Sequence, residues 1–325
     1  MRVLLLLACA VCTAAGSLNT RPIVGVLTQP LNTEVGNSSA PSNLTYIAAS
    51  YVKFLESAGA RVVPVHFDAS DSELDATFRG INGLLFPGGG ADLSVGTRLR
   101  AAAARLYNSA LASNDAGDVF PIWGTCMGFQ LLSLLTARDE DSILCSKCYD
   151  SEGTPLPLLF TDASRSSGLY GGLPTALRHA LATENITENS HHDGIAPATY
   201  RANARLAAFY DVLSTNVDNA GTPFVSSVEA KKYPIAATQW HPEKANFEWG
   251  TKLGPNAIPH TEHAVQASQY LANWVVAQAR QSSHRYPSPA AESAALIYNH
   301  RAIADPNGYY TQVYIWERPA LSLQV

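Results

Sequence analysis

Apolar residues in this chain fall into short continuous runs separated by longer stretches of helical periodicity. Pro22–Leu27, Val62–Val65 and Leu84–Phe86 are runs of the length and composition expected of strands buried on both faces. Between them, Tyr46–Ala58 carries apolar residues at helical spacing, with Thr45 as its N-cap and Gly59 as its stop. Asp71–Phe78 predicts a short helix capped by Asp71. The alanine-rich Thr97–Ser113 predicts another helix, a strand runs up to Gly124, and Phe129–Thr136 predicts the helix after it. Residues 150–240 read as strand-rich and irregular, ending in the apolar strand Ile235–Trp240. Ala264–Ala279 is amphipathic, and Tyr309–Trp316 is strand-like. Strands alternating with helices predict an α/β fold, a three-layer sandwich whose mostly parallel central sheet is flanked by helices. Its functional site is then expected at the carboxyl ends of the strands.

The first residues stand apart. Arg2, the apolar run Val3–Val11 and the small residues Thr13–Ser17 have the form of a secretory signal covering residues 1–16. Its removal would take away Arg2, Cys9 and Cys12, leaving 21 basic against 27 acidic residues. The run is too short to span a bilayer, and no later stretch has about 18 uninterrupted apolar residues, so no membrane partner is expected. With no repeat or linker, residues 17–325 read as one domain, with a core over 21–280 and a C-terminal extension over 281–325.

Composition narrows the function. A 46% hydrophobic, 15% charged chain can bury a large core, and a net charge of −5 without a basic run argues against nucleic acid. Export makes three glycosylation sequons readable, at Asn37, Asn43 and Asn185. Asn37 lies in the polar stretch Thr28–Pro41, which reads as an exposed loop, with Asn43 just beyond it. Cys145 and Cys148 fit a local disulfide in an oxidising compartment. His260 and His263 have helical spacing but lack the rest of a metal site, so no metal is expected. No cofactor is expected either: Pro87 and the glycines after it are not followed by the Gly-Lys-Ser/Thr of a phosphate loop.

Three stretches carry chemistry. In Gly124-Thr-Cys126-Met-Gly128 a cysteine sits between two glycines where a strand should turn into a helix. That is the layout of a nucleophile elbow, and a helix N-terminus at the sulfur favours the thiolate. His241 and Glu243 follow the strand Ile235–Trp240, 115 residues downstream of Cys126. Pro242 between them disfavours helix, so both side chains can point one way, Glu243 orienting His241 as the base for Cys126. Gly88 and Gly89 end the strand Leu84–Phe86, where their backbone N–H groups, with that of Met127, can form an oxyanion hole.

In this order the three stretches resemble the class I glutamine amidotransferase superfamily. Arg21–Leu27, Tyr46–Val65, Trp123–Phe129, Tyr233–Ile235 and Gln239–Ala245 narrow the resemblance to the gamma-glutamyl hydrolases, across residues 21–280. The resemblance implies a flavodoxin-like sandwich and a cysteine hydrolase cleaving the γ-glutamyl bonds of folate poly-γ-glutamates and antifolate polyglutamates through a thioester. It also implies a lysosomal, vacuolar or secreted protein and a homodimer. It puts His191 in the substrate pocket, with His192 as the alternative, and Gln130 beside the substrate where the family often has Glu. Two other readings stay open: a glutaminase feeding ammonia to a synthase, which the signal segment opposes, and a weakened γ-glutamyl-binding protein, for which Gln130 is the only support.

Overall fold

The computed structural model describes residues 18–31, 44–138, 140–250, 252–254 and 256–317. The signal segment and the sequons at Asn37 and Asn43 lie outside the described residues. The strands in chain order are β1 (Ile23–Leu27), β2 (Gln29–Pro30), β3 (Leu44–Ala48), β4 (Arg61–Val65), β5 (Gly83–Phe86) and β6 (Ile122–Thr125). There follow β7 (Thr154–Leu156), β8 (Leu159–Phe160), β9 (Thr187–Asn189), β10 (Tyr210–Val217), β11 (Pro223–Ala230), β12 (Ile235–Thr238), β13 (Ile303–Ala304) and β14 (Gln312–Glu317). Eight of them form the central sheet in the order β4-β1-β5-β6-β12-β11-β10-β8. The first five run parallel and the last three join antiparallel.

Alternation along the strands builds the layers. In β1, Ile23 and Leu27 enter one apolar cluster while Val24 and Val26 enter the other. The first face is covered by α2 (Asp71–Gly80), α3 (Arg98–Asp115) and α4 (Met127–Thr136), the second by α1 (Ala49–Ser57) and helix Glu262–Ala279. This is the expected three-layer α/β sandwich.

Several boundaries differ from expectation. The predicted helix Tyr46–Ala58 begins only at Ala49, with Ala48 at its N-cap position and no side-chain cap, because residues 44–48 are β3. Thr45 is no N-cap: it pairs with Trp316 of β14 on one side and Pro30 of β2 on the other. The tail thus completes a second sheet, β13-β14-β3-β2, against the core. Thr28 and Gln29, read as the start of an exposed loop, are buried. Asp71 sits in the first turn of α2, but the cap is Ser70, whose hydroxyl accepts from the Glu73 amide while Glu73 accepts from the Ser70 amide. That reciprocal pair satisfies two donors at once, which Asp71 alone would not. Thr97 caps α3 rather than beginning it.

The closest backbone packing lies where α4 leaves the sheet: a β-carbon on Gly128 would fall 1.9 Å from the carbonyl oxygen of Phe86. Gly128→Ala must push α4 off β5, and is expected to cost about 3 kcal/mol. A lower urea midpoint at constant m-value is the readout.

Candidate active site

Cys126 occupies the turn between β6 and α4 with φ 52°, ψ −108°, a left-handed conformation uncommon outside glycine. Its N–H donates to the Thr238 carbonyl at 2.7 Å, tying the elbow to the end of β12. The side chain is 4% exposed, and its thiol donates to the Ser190 carbonyl at 3.9 Å. Burial pushes the thiol up to about 12; the Lys244 ammonium and the Met127 amide pull it down, and Glu188 and Glu243 push it further up. These influences favour the thiol over the thiolate in the free site, burial outweighing the pull of the Met127 amide at the helix N-terminus.

His241 comes three residues after β12, and its backbone N–H donates to the Glu188 carbonyl at 2.9 Å. Its Nδ1 lies 2.8 Å from Glu243 Oε1 and 3.4 Å from the Tyr51 hydroxyl, leaving Nε2 to other partners. Burial lowers His241 to about 3, helped by Lys244, and raises Glu243 to about 7 against Lys244. Each group is pushed toward its neutral form. Cys126 and His241 both border Gly88: a β-carbon there would lie 2.6 Å from His241 Cε1 and 3.2 Å from Cys126 Cβ.

The glycine turn is held by two side chains that sequence reasoning passed over. Gly88 N–H donates to the Tyr51 hydroxyl at 2.8 Å, and Gln29 Nε2 donates to the Gly88 carbonyl at 2.8 Å. Gly88 therefore has its amide already engaged, whereas the Gly89 amide donates to no group among the described residues. At position 89 the backbone has φ 157°, and a β-carbon would lie 1.9 Å from Gln29 Oε1, so a side chain there would have to displace Gln29 from the Gly88 carbonyl. Met127 N–H opens α4 beside the sulfur.

These residues border a cavity of 240 Å³ whose walls include Gly89, Cys126, Gln130, His191, His241 and Tyr310. A neighbouring 310 Å³ cavity shares Gly89, Gln130 and Asp193 and adds the apolar Leu93, Leu134 and Leu144. Both histidines of the pair reach the first cavity. His191 is buried in its wall, edge-on to Phe224 with ring centroids 4.7 Å apart, and burial lowers it to about 4. His192 is exposed on the rim, its Nε2 3.2 Å from Glu152. Gln130 is buried, and its amide nitrogen donates to the Asp193 carbonyl at 3.0 Å and to Gln239 Oε1 at 3.3 Å. Its contacts brace the loop carrying His191 and Asp193.

Beneath the site lies a buried ion pair that sequence reasoning also missed, Lys244 with Glu188 of β9 at 3.1 Å. Lys244 was visible beside His241 and Glu243; nothing local marked Glu188. Asn185 is exposed just before β9. Cys145 and Cys148 are disulfide-bonded. His260 and His263 part company, the first stacked on Trp249 at 3.9 Å and the second 2.8 Å from Glu184. Among the described residues no three ligating side chains gather at a metal-sized site.

A family model described as Peptidase C26 matches residues 22–137. The chain is 43% identical to the gamma-glutamyl hydrolase of Mus musculus over 298 residues, 91% of this chain and 90% of that protein. It is 39% identical to the gamma-glutamyl hydrolase of Homo sapiens over 303 residues, 93% and 92% of the two chains. It is 37% identical to gamma-glutamyl hydrolase 1 of Arabidopsis thaliana over 308 residues, 93% and 85%.

Two outcomes follow from the electrostatics. Lys244→Met strands the Glu188 carboxylate in the interior, an expected loss of about 3–5 kcal/mol that Lys244→Met with Glu188→Leu largely restores; urea denaturation distinguishes the two variants. Acidification is the second. Between pH 6.5 and 4.5 the unfolded chain takes up protons on His191 and His241, which are held at about 4 and about 3 when folded. Over the same range the folded chain alone keeps one on Glu243, raised to about 7. The unfolded state gains the larger number, so the site loses stability as pH falls through this window. The Tm of His191→Asn should fall less than that of wild type over the same interval.

Proposed function

This chain belongs to the gamma-glutamyl hydrolase family, and from that premise we propose that Cys126, His241 and Glu243 carry the hydrolysis, with folate poly-γ-glutamates as substrates. The observation that carries the reading is that Cys126 and His241 both border the Gly88 turn, with Glu243 2.8 Å behind the imidazole. His241 Nε2 takes the thiol proton as the sulfur attacks the γ-carbonyl carbon, and the carbonyl oxygen gains the charge. The Gly89 and Met127 amides receive that oxyanion, a contribution commonly of about 3 kcal/mol per donor. Gly88 acts one step back, its carbonyl held by Gln29 and its amide by Tyr51. As the carbon–nitrogen bond breaks, His241 returns the proton to the leaving amine. Water, deprotonated by His241, then cleaves the thioester to a γ-carboxylate and the free thiol.

His191 forms a neutral wall of the substrate pocket, and Gln130 contributes by fixing its loop. Passage through the secretory pathway to a lysosome, vacuole or the exterior is the matching location. The form of residues 1–16, the Cys145–Cys148 disulfide and the exposed Asn185, a candidate glycosylation site, support it.

Chromatography of the products from a folate pentaglutamate at pH 5 and pH 7 tests the reading. Wild type should release glutamate or short γ-glutamyl peptides, Cys126→Ala none, and Glu243→Gln should lower kcat by about 10²-fold or more. Folded wild type that turns over nothing at either pH would overturn the substrate assignment.

A further inference from the structure

A poly-γ-glutamate tail carries one α-carboxylate per residue, so its pocket needs positive charge. Two Lys side chains and no Arg line the catalytic cavity. Lys244 is spent, buried against Glu188. Arg165, another basic residue of this half of the chain, is exposed and does not line the cavity. Lys147 remains. It is exposed on the rim, and no hydrogen bond or ion pair reaches its ammonium among the described residues. The rim acids are already engaged: Glu152 lies 3.2 Å from His192, and Asp193 Oδ1 accepts from Ser146 Oγ at 3.0 Å and from Lys147 N–H at 2.7 Å.

The backbone at Lys147 is unusual in the same direction. Its φ is +57°, a left-handed conformation that costs a lysine free energy unless the surroundings impose it. The surroundings do impose it. The residue lies inside the four-residue ring closed by the Cys145–Cys148 disulfide. That ring is sewn to the loop carrying the pocket histidines: Cys145 and Gly194 exchange backbone hydrogen bonds at 2.9 and 3.1 Å, and Tyr149 N–H donates to the His192 carbonyl at 3.0 Å.

We propose that Lys147, held in position by the Cys145–Cys148 disulfide, is the subsite for a glutamyl α-carboxylate of the substrate. The inference rests on the substrate reading above and adds to it a residue that reads the tail. Lys147 is a specificity residue and the disulfide a positioning device; neither takes part in bond making.

Steady-state kinetics on folate pentaglutamate and on the same compound with its α-carboxylates converted to amides separate the possibilities. Lys147→Met should raise KM for the carboxylate substrate about tenfold, the loss falling on KM rather than kcat, and should add nothing on the amide substrate. Added salt should shrink the difference, and Lys147→Arg should recover most of it. Cys145→Ser with Cys148→Ser should raise KM toward the Lys147→Met value, and joining all three changes should bring no further rise. An unaltered KM in Lys147→Met, or equal losses on both substrates, would overturn the proposal. An unaltered KM in the cysteine double variant would remove the disulfide from it. Wild type inactive on the pentaglutamate would instead strike at the substrate reading itself.

Discussion

The contact on which the site depends is the approach of the α4 backbone to β5, where Gly128 and the Phe86 carbonyl leave no room for a side chain. That contact brings the first turn of α4 down onto the sheet. The chain can enter it from β6 only through a left-handed residue, and that residue is Cys126. The sulfur is thereby lifted to the carboxyl edge of the parallel strands. The neighbouring strand end is fixed by the same turn, because the Cys126 amide donates to Thr238 of β12, three residues before His241. On the other side, β5 runs directly into the Gly88 turn. The proposed nucleophile, base and oxyanion donors thus sit at three adjacent strand ends, β6, β12 and β5, and their separations follow from ordinary strand spacing of about 4.8 Å.

The electrostatics favour a site that is neutral at rest. Lys244 lowers the Cys126 thiol while Glu188 raises it, and burial outweighs either. The same burial disfavours both imidazolium and carboxylate at His241 and Glu243. A buried pair of this kind adds little net stability; its effect is to hold structure. Glu188 accepts the His241 backbone N–H through its carbonyl and the Lys244 ammonium through its side chain. In the proposed reaction the charges then arise only as the thiol proton moves to His241. Glu243 and the N-terminus of α4 already face them there, and little solvent intervenes to weaken the interaction.

What was legible in the sequence divides by range. The parallel half of the sheet could be read because each of its strands is a continuous apolar run, and Cys126, His241 and Glu243 because turn chemistry brackets them within a few residues. Residues 44–48 were misread for the opposite reason. Tyr46-Ile47-Ala48 fits a helix as well as a strand in isolation, and the choice is made by β14, more than 260 residues away. Tyr51, Gln29 and Glu188 escaped notice likewise. Each is an ordinary residue of its own element, and only the tertiary fold brings it against Gly88 or Lys244. At Ser70 the signal is local, since the Ser-x-x-Glu spacing of a capping box stands beside Asp71.

Gln130, where the family often has Glu, lines the cavity and can be weighed by its contacts as well as by its charge. A glutamate one turn from the nucleophile suggests substrate positioning, and its replacement suggests a weakened enzyme. In the folded chain the side chain is buried, and its two contacts are donations, to the Asp193 carbonyl and to Gln239 Oε1. An ionised carboxylate has no proton to donate and would face two oxygens in a dry setting. The amide at position 130 satisfies the Asp193 carbonyl and so helps keep the loop of His191 and Asp193 in place. That same loop anchors the disulfide ring through Asp193 and Gly194. The neutral residue is therefore consistent with the proposed catalytic site, and it keeps a negative charge out of the pocket proposed for a polyanion.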